Sequence, residues 1–208
     1  MNKGQADTVS VAIIIGISIS LLSAAYFWGM PLIHKYQDTS KYKQIYESFS
    51  PENPDSLPNK ILFLVRNGGR IEYTLPSQVG IRIHDESDSI EFVFTSKVSG
   101  IASDIGWVSL LGGVSCDATE GLLGIDKPYL LCAKSERVGD VYQITFNITS
   151  RELEDSRSGV VYKIDFYSSS VSSASTNKLL LIYEGMTSPS PNSIIHKIKI
   201  ELEWWVNL

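Results

Sequence analysis

The sequence predicts an α+β protein: one long N-terminal hydrophobic α-helix followed by an all-β, β-sandwich-like C-terminal domain. Three observations carry this expectation. The stretch from Val9 to Ile33, VSVAIIIGISISLLSAAYFWGMPLI, contains no charged residue. From Lys60 onward, apolar and polar residues alternate almost throughout at period two, the pattern of strands with one face on a core and one in water. Between these regions, three prolines fall within residues 51–58 and interrupt both periodicities. The chain therefore divides into a hydrophobic helix with an amphipathic extension (5–50), a Pro-rich linker (51–58) and a β-sandwich domain (59–208), behind four leading residues.

The apolar run is long enough to cross a hydrocarbon core of about 30 Å as a helix. Its polar interruptions are serines, which can return a hydrogen bond to the preceding turn and so survive in lipid. Gly16, Ser18, Ser20, Ser23, Ala24 and Ala25 make much of its surface small. Small surfaces let neighbouring helices approach closely, which a lone anchor does not need. Tyr26, Phe27 and Trp28 cluster near the far end, as an interfacial aromatic belt does, and Pro31 is expected to kink the helix rather than end it. Three readings compete: a cleaved secretory signal, a plain membrane anchor, and a retained helix that packs against copies of itself. Lys3 stands alone before the run, whereas Lys35, Lys41 and Lys43 follow it, so charge placement taken literally would put the domain on the cytoplasmic side.

Ahead of the run stands Met1-Asn2-Lys3-Gly4-Gln5-Ala6-Asp7: a Lys-Gly pair, a short polar stretch, then the apolar segment. That order resembles the class III signal peptides of archaeal type IV pilin-like proteins and archaellins. The resemblance covers about the first 35 residues. It implies that residues 1–4 are a leader, cut between Gly4 and Gln5 by a prepilin-peptidase-like enzyme, with the apolar helix kept on the mature protein. It also implies a membrane-anchored subunit that self-associates into a homopolymeric filament at the cell surface, where adhesion is the usual task. Many pilins carry glutamate at the fifth mature position, thought to pair with a neighbour's amino terminus. Here that position is Val9, and the nearest acid is Asp7. Asp7 can meet a freed α-amino group or favour the helix N-terminus; its ordinary role is an N-cap, with Thr8 as an equal candidate. For assembly the residues singled out are Asp7 with Gly16, Ser20 and Ala24.

Beyond Ile33, Tyr42, Ile45, Tyr46 and Phe49 fall at i, i+3, i+4 and i+7, one apolar stripe that extends the helix to about Ser48. Docking onto the β domain is the expected role of this stripe, with subunit contact as the alternative. In the domain, Ile61–Val65 and Ile71–Leu75 flank Arg66-Asn67-Gly68-Gly69-Arg70, which reads as a hairpin through Asn-Gly. Further strands are expected around Val79–Ile83, Ile90–Phe94, Tyr142–Ile148, Val160–Phe166 and Leu179–Tyr183. A terminal strand places Ile194, Ile198, Ile200, Leu202, Trp204 and Val206 on one face. Its edge must be paired, inside the sandwich or with another subunit. Between Gly100 and Lys134 the pattern loosens into a Gly-rich insertion, and Ser168–Thr176 reads as a low-complexity loop.

The net charge of −5 and pI near 5.2, with no run of basic residues, argue against a nucleic-acid partner. Cys116 and Cys132 are either a disulfide closing a short loop or two separate buried thiols; two positions 16 apart without further donors nearby do not suit a metal. Asn147-Ile148-Thr149 is an N-glycosylation sequon, with Asn147 facing outward because Phe146 and Ile148 face in. No nucleophile elbow, phosphate loop or zinc-protease helix appears, and His34, His84 and His196 lie far apart. His84-Asp85-Glu86-Ser87-Asp88 gathers three acids at a turn without the spacing of a calcium loop. No catalytic residue, metal or cofactor is expected. The expectation is a structural subunit. The alternative is a single-pass membrane-anchored extracytoplasmic binding or accessory (stator-like) module of a surface motility or adhesion machine.

Overall fold

The computed structural model describes residues 3–103, 105–169 and 171–202, with side chains from Ser10 onward. It has two units, Met1–Ser40 and Lys41–Leu208. Helix α1, Lys3–Phe49, contributes to both and runs through Pro31 without a break.

In the second unit, the last turns of α1 lay the predicted stripe onto the sheet. Ile45 and Phe49 are fully buried. The Phe49 ring stacks on Phe146 with centroids 4.6 Å apart and meets Phe92 at 4.8 Å, while Tyr46 meets Phe146 edge-on at 6.3 Å. Each such side chain stabilises the fold by about 1.5–3 kcal/mol through burial alone. Asn53 donates from Nδ2 to the Glu47 carbonyl at 2.9 Å, satisfying an orphan acceptor where α1 ends. Asn59 Nδ2 in turn holds the carbonyls of Pro51 and Asn53, at 3.0 and 2.7 Å.

Here the structure corrects a sequence expectation. Ile61–Val65 is not a strand: Leu57–Asn67 forms helix α2, with Pro in its first turn. Leu57, Ile61 and Leu64, at i, i+4 and i+7, are all fully buried, so the run packs at helical rather than strand period. The Asn67-Gly68 pair closes that helix instead of turning a hairpin. Gly68 takes φ 71° and its N–H donates to the Leu64 carbonyl at 2.7 Å.

Ten strands follow: β1 (Arg70–His84), β2 (Ser89–Ser96), β3 (Val108–Ser109), β4 (Glu120–Leu122), β5 (Tyr129–Val138), β6 (Val141–Ser150), β7 (Glu152–Glu154), β8 (Val161–Tyr167), β9 (Ser173–Ser190) and β10 (Ser193–Leu202). They form one hydrogen-bonded sheet in the order β3-β5-β6-β2-β1-β9-β10-β8-β7-β4. Two expected strands, Ile71–Leu75 and Val79–Ile83, are joined in β1. Pro76, which lacks a ladder donor, falls where the β1–β9 register shifts between Thr74 and Val79. Residues 173–176 of the serine-rich stretch are not loop but the start of β9, paired with β1.

The sheet folds over its own core in sandwich-like fashion. Strand β8 packs against β1 and β6, although two and four strands respectively intervene in the order. Past Tyr162, where β8 no longer pairs with β7, Ile164 N–H donates to Ser150 Oγ (3.1 Å), and just after the strand Ser168 N–H donates to Asp85 Oδ1 (3.3 Å). Phe92, Phe146, Phe166, Ile144, Leu181 and Ile198 fill the interior. The outer strands β3 and β4 have two and three residues, which blunts both edges against pairing with other chains. The terminal strand is interior, antiparallel to β9 and parallel to β8; Trp204 and Val206 lie outside the described residues.

Candidate assembly surface on the apolar helix

Within the first unit, the apolar stretch is hydrophobic all round rather than along one stripe. Ile14, Leu22 and Trp28 are 64%, 71% and 82% exposed, and no residue of the most apolar window is buried. In water such a surface is costly; a helix of this kind needs lipid or other helices around it. Among the described residues this is the one helix long and apolar enough to cross a membrane. By length and composition it is a candidate membrane span, a description that an anchor and a signal segment both meet.

Gly16, Ser20 and Ala24 recur every four residues of α1 and so share one face. Ser20 Oγ donates to the Gly16 carbonyl at 2.8 Å, and Ser18 and Ser23 bond back to Ile14 and Ile19 in the same way. Their hydroxyls are thus satisfied within the helix, and the face they form is small without being hungry for water. A Cβ placed on Gly16 would meet nothing within 4 Å, so no packing inside this chain requires glycine there. Tyr26 and Phe27 stand edge to face at 6.4 Å beside Trp28, at the end of the apolar stretch. Gly4, Gln5 and Asp7 belong to the backbone of α1; their side chains lie outside the described residues, and so does any pairing of Asp7.

The remaining sequence-marked residues sit in the β domain. Cys116 and Cys132 are joined in a disulfide, with Cα atoms 6.0 Å apart. Asn147 keeps its outward parity but lies mid-strand, between Glu91 on β2 and Cys132 on β5. Its Oδ1 is buried without a hydrogen-bond partner. Leu130, Cys132 and Thr145 on the same outer face are buried too, so the segment tied down by the disulfide roofs this part of the sheet.

The acid-rich turn after β1 is structural. Residues Asp85–Ser87 form a 3₁₀ turn, and Asp88 takes φ 45° and receives the Lys163 ammonium at 2.7 Å. Asp165 has its carboxyl pushed up by burial and by its hydrogen bond with Asp88. Lys163 is raised by the Asp88 carboxylate. His84 lies 3.8 Å from Glu91, whereas His196 Nδ1 is 3.0 Å from Tyr183 Oη and is pushed down by burial. Among the described residues, no three His, Cys, Asp or Glu side chains gather as metal donors.

Two features escaped sequence reasoning. Arg151, 8% exposed, locks β4 to the β6–β7 junction: its Nε donates to the Glu120 carbonyl at 2.7 Å and Nη1 pairs with Asp126 at 3.1 Å. Gly121 admits this guanidinium, since a Cβ there would come within 2.7 Å of Arg151 Cζ. The second is a groove beside α2, described below. A single arginine after a strand, or a glycine in a loop, carries no signal of such contacts until the register is known. No protein-family profile, curated protein or solved structure matches this chain.

Proposed function

We propose that this protein is a structural subunit of an extracellular type IV pilus-like filament and not an enzyme. The apolar helices of many copies form the filament core and the β domains its surface. The observation that carries the reading is a helix apolar on every side, with Gly16, Ser20 and Ala24 on one face and no internal demand for glycine at Gly16. The Lys3-Gly4-Gln5 start supports it as a processing site for a prepilin-peptidase-like enzyme. Before assembly the helix rests in the membrane with the domain outside the cell. A filament core then replaces lipid around the helix with identical helices, which close approach along the small face permits.

The test is the mass of the native protein together with electron microscopy of cell-surface fractions. Processing gives a chain beginning at Gln5, and filaments are seen. Gly4→Trp blocks the cut and abolishes them; filaments that persist in that variant would falsify the proposal. The second reading, a membrane-anchored binding or accessory module of a motility or adhesion machine, is favoured by Val9, which stands where many pilins have glutamate. That reading predicts an uncut Met1 terminus and no filaments.

A further inference from the structure

After β4, the domain leaves an apolar groove uncovered. Leu122, Leu123 and Ile125 are 45%, 43% and 80% exposed, grouped around Gly124, whose φ of 85° turns the chain. Three large apolar side chains fall in four consecutive exposed positions, whereas the domain's other exposed aliphatics, such as Ile105 and Val138, stand singly in sequence, and contiguous patches mark contacts. Leu123 and Ile125 form the lip of a groove of about 430 Å³, within the range of small-molecule sites, walled by Leu62 of α2, Leu153 of β7 and Ile164 of β8. Leu153 and Ile164 are almost fully buried and make an apolar floor.

Two exposed cations, Arg66 and Lys127, stand at this groove, and the same two border an adjoining cavity against the linker that Lys60, Glu52 and Glu72 also line. Neither has an ion-pair partner among the described residues. The other charged groups at the groove are already engaged: Asp126 by Arg151 and the Leu122 N–H, Lys163 by Asp88 and Glu152. His196, whose imidazole burial pushes down in pKa, is hydrogen-bonded to Tyr183. In a chain of net charge −5, two unpaired cations beside an uncovered apolar wall complement a ligand with an apolar body and an anionic head.

We propose that this groove binds a small amphipathic carboxylate, its tail along Leu62, Leu153 and Ile164 and its head at Arg66 and Lys127. The full chain, held in nanodiscs of zwitterionic lipid, is titrated with octanoate and with octanol, and binding is followed by ligand-observed NMR against empty nanodiscs. The expected result is saturable one-site binding of octanoate, tighter than octanol by about ten-fold, the scale of a charge-assisted contact. Arg66→Gln with Lys127→Gln removes that ten-fold preference, and Ile125→Ser weakens both ligands. All three side chains are exposed, so an unchanged thermal transition and an intact disulfide mass verify the fold of each variant. The proposal is overturned by absence of saturable octanoate binding, by equal binding of octanol, or by a double glutamine variant that binds as the parent does. It is also overturned if residues 122–125 of the ligand-free chain are protected from hydrogen exchange by self-association, which would make the groove a contact between copies.

Discussion

Replacing Phe49 by alanine tests whether the end of α1 is part of the β domain's core or merely adjacent to it. Phe49 is fully buried, stacks on Phe146 at 4.6 Å and meets Phe92 at a tilt at 4.8 Å. Truncating a buried phenylalanine costs about 3–5 kcal/mol, because transfer energy is lost and a cavity remains. For a domain of this size 1 kcal/mol moves the midpoint by about 2–4 °C, so the melting temperature should fall by roughly 6–20 °C. The assay is thermal unfolding of the full chain in detergent, followed by near-ultraviolet circular dichroism. Leu22→Ala serves as the control: Leu22 is 71% exposed, so its loss should shift stability by less than about 0.5 kcal/mol. A Phe49→Ala protein that melts within about 2 °C of the parent, under 1 kcal/mol by the same scaling, would refute the docking argument.

Three further outcomes follow from the domain. Cys116→Ser with Cys132→Ser opens the loop roofing β5 and β6 and should cost about 3 kcal/mol, read by denaturant titration. Gly100→Val should destabilise strongly, because a Cβ at Gly100 lies 2.7 Å from Tyr42 Oη; Tyr42→Ala should rescue much of the loss, whereas independent effects would add and contradict the contact. Stability should also carry two opposed carboxylate contributions. Asp165 is held above its ordinary range by burial and by Asp88, so the unfolded chain ionises first and its contribution declines as pH rises through the raised value. Asp126 and Asp155 are held below that range, chiefly by the Leu122 N–H and the Ser158 hydroxyl respectively, so theirs is lost as pH falls through the lowered values. Asp165→Asn should flatten the upper limb only, and a profile unchanged in that variant would dismiss the assignment.

The helix-plus-β architecture was legible because both periodicities are long. Tyr42, Ile45, Tyr46 and Phe49 mark a helical face, and β2, β6 and β10 alternate cleanly. Helix α2 was misread because ILFLV is apolar at every position and carries no period of its own. The buried Leu57 outside it, four residues before Ile61 and seven before Leu64, reveals the helical spacing. Asn67-Gly68 misled in the same way: hairpins and helix ends both ask for positive φ, and glycine supplies either. The parallel pairs β8–β10 and β4–β7 depend on which distant segments meet, which local pattern does not encode. Asn147 shows the limit for sites. Its outward parity was readable, but the neighbouring Cys132 and the roofing segment appear only once strands β5 and β6 are in register.

The claim beneath the assembly proposal is that α1 stays on the mature protein with identical helices as its neighbours. Cysteine crosslinking at Ser20, on the small face, in intact surface fractions tests it most directly. The account predicts a crosslinked dimer, one introduced thiol per chain joining one neighbour, that Leu22→Cys, on another face, does not reproduce with equal yield. Recovery of monomer alone from Ser20→Cys, or of a mature chain lacking the apolar segment, would contradict it.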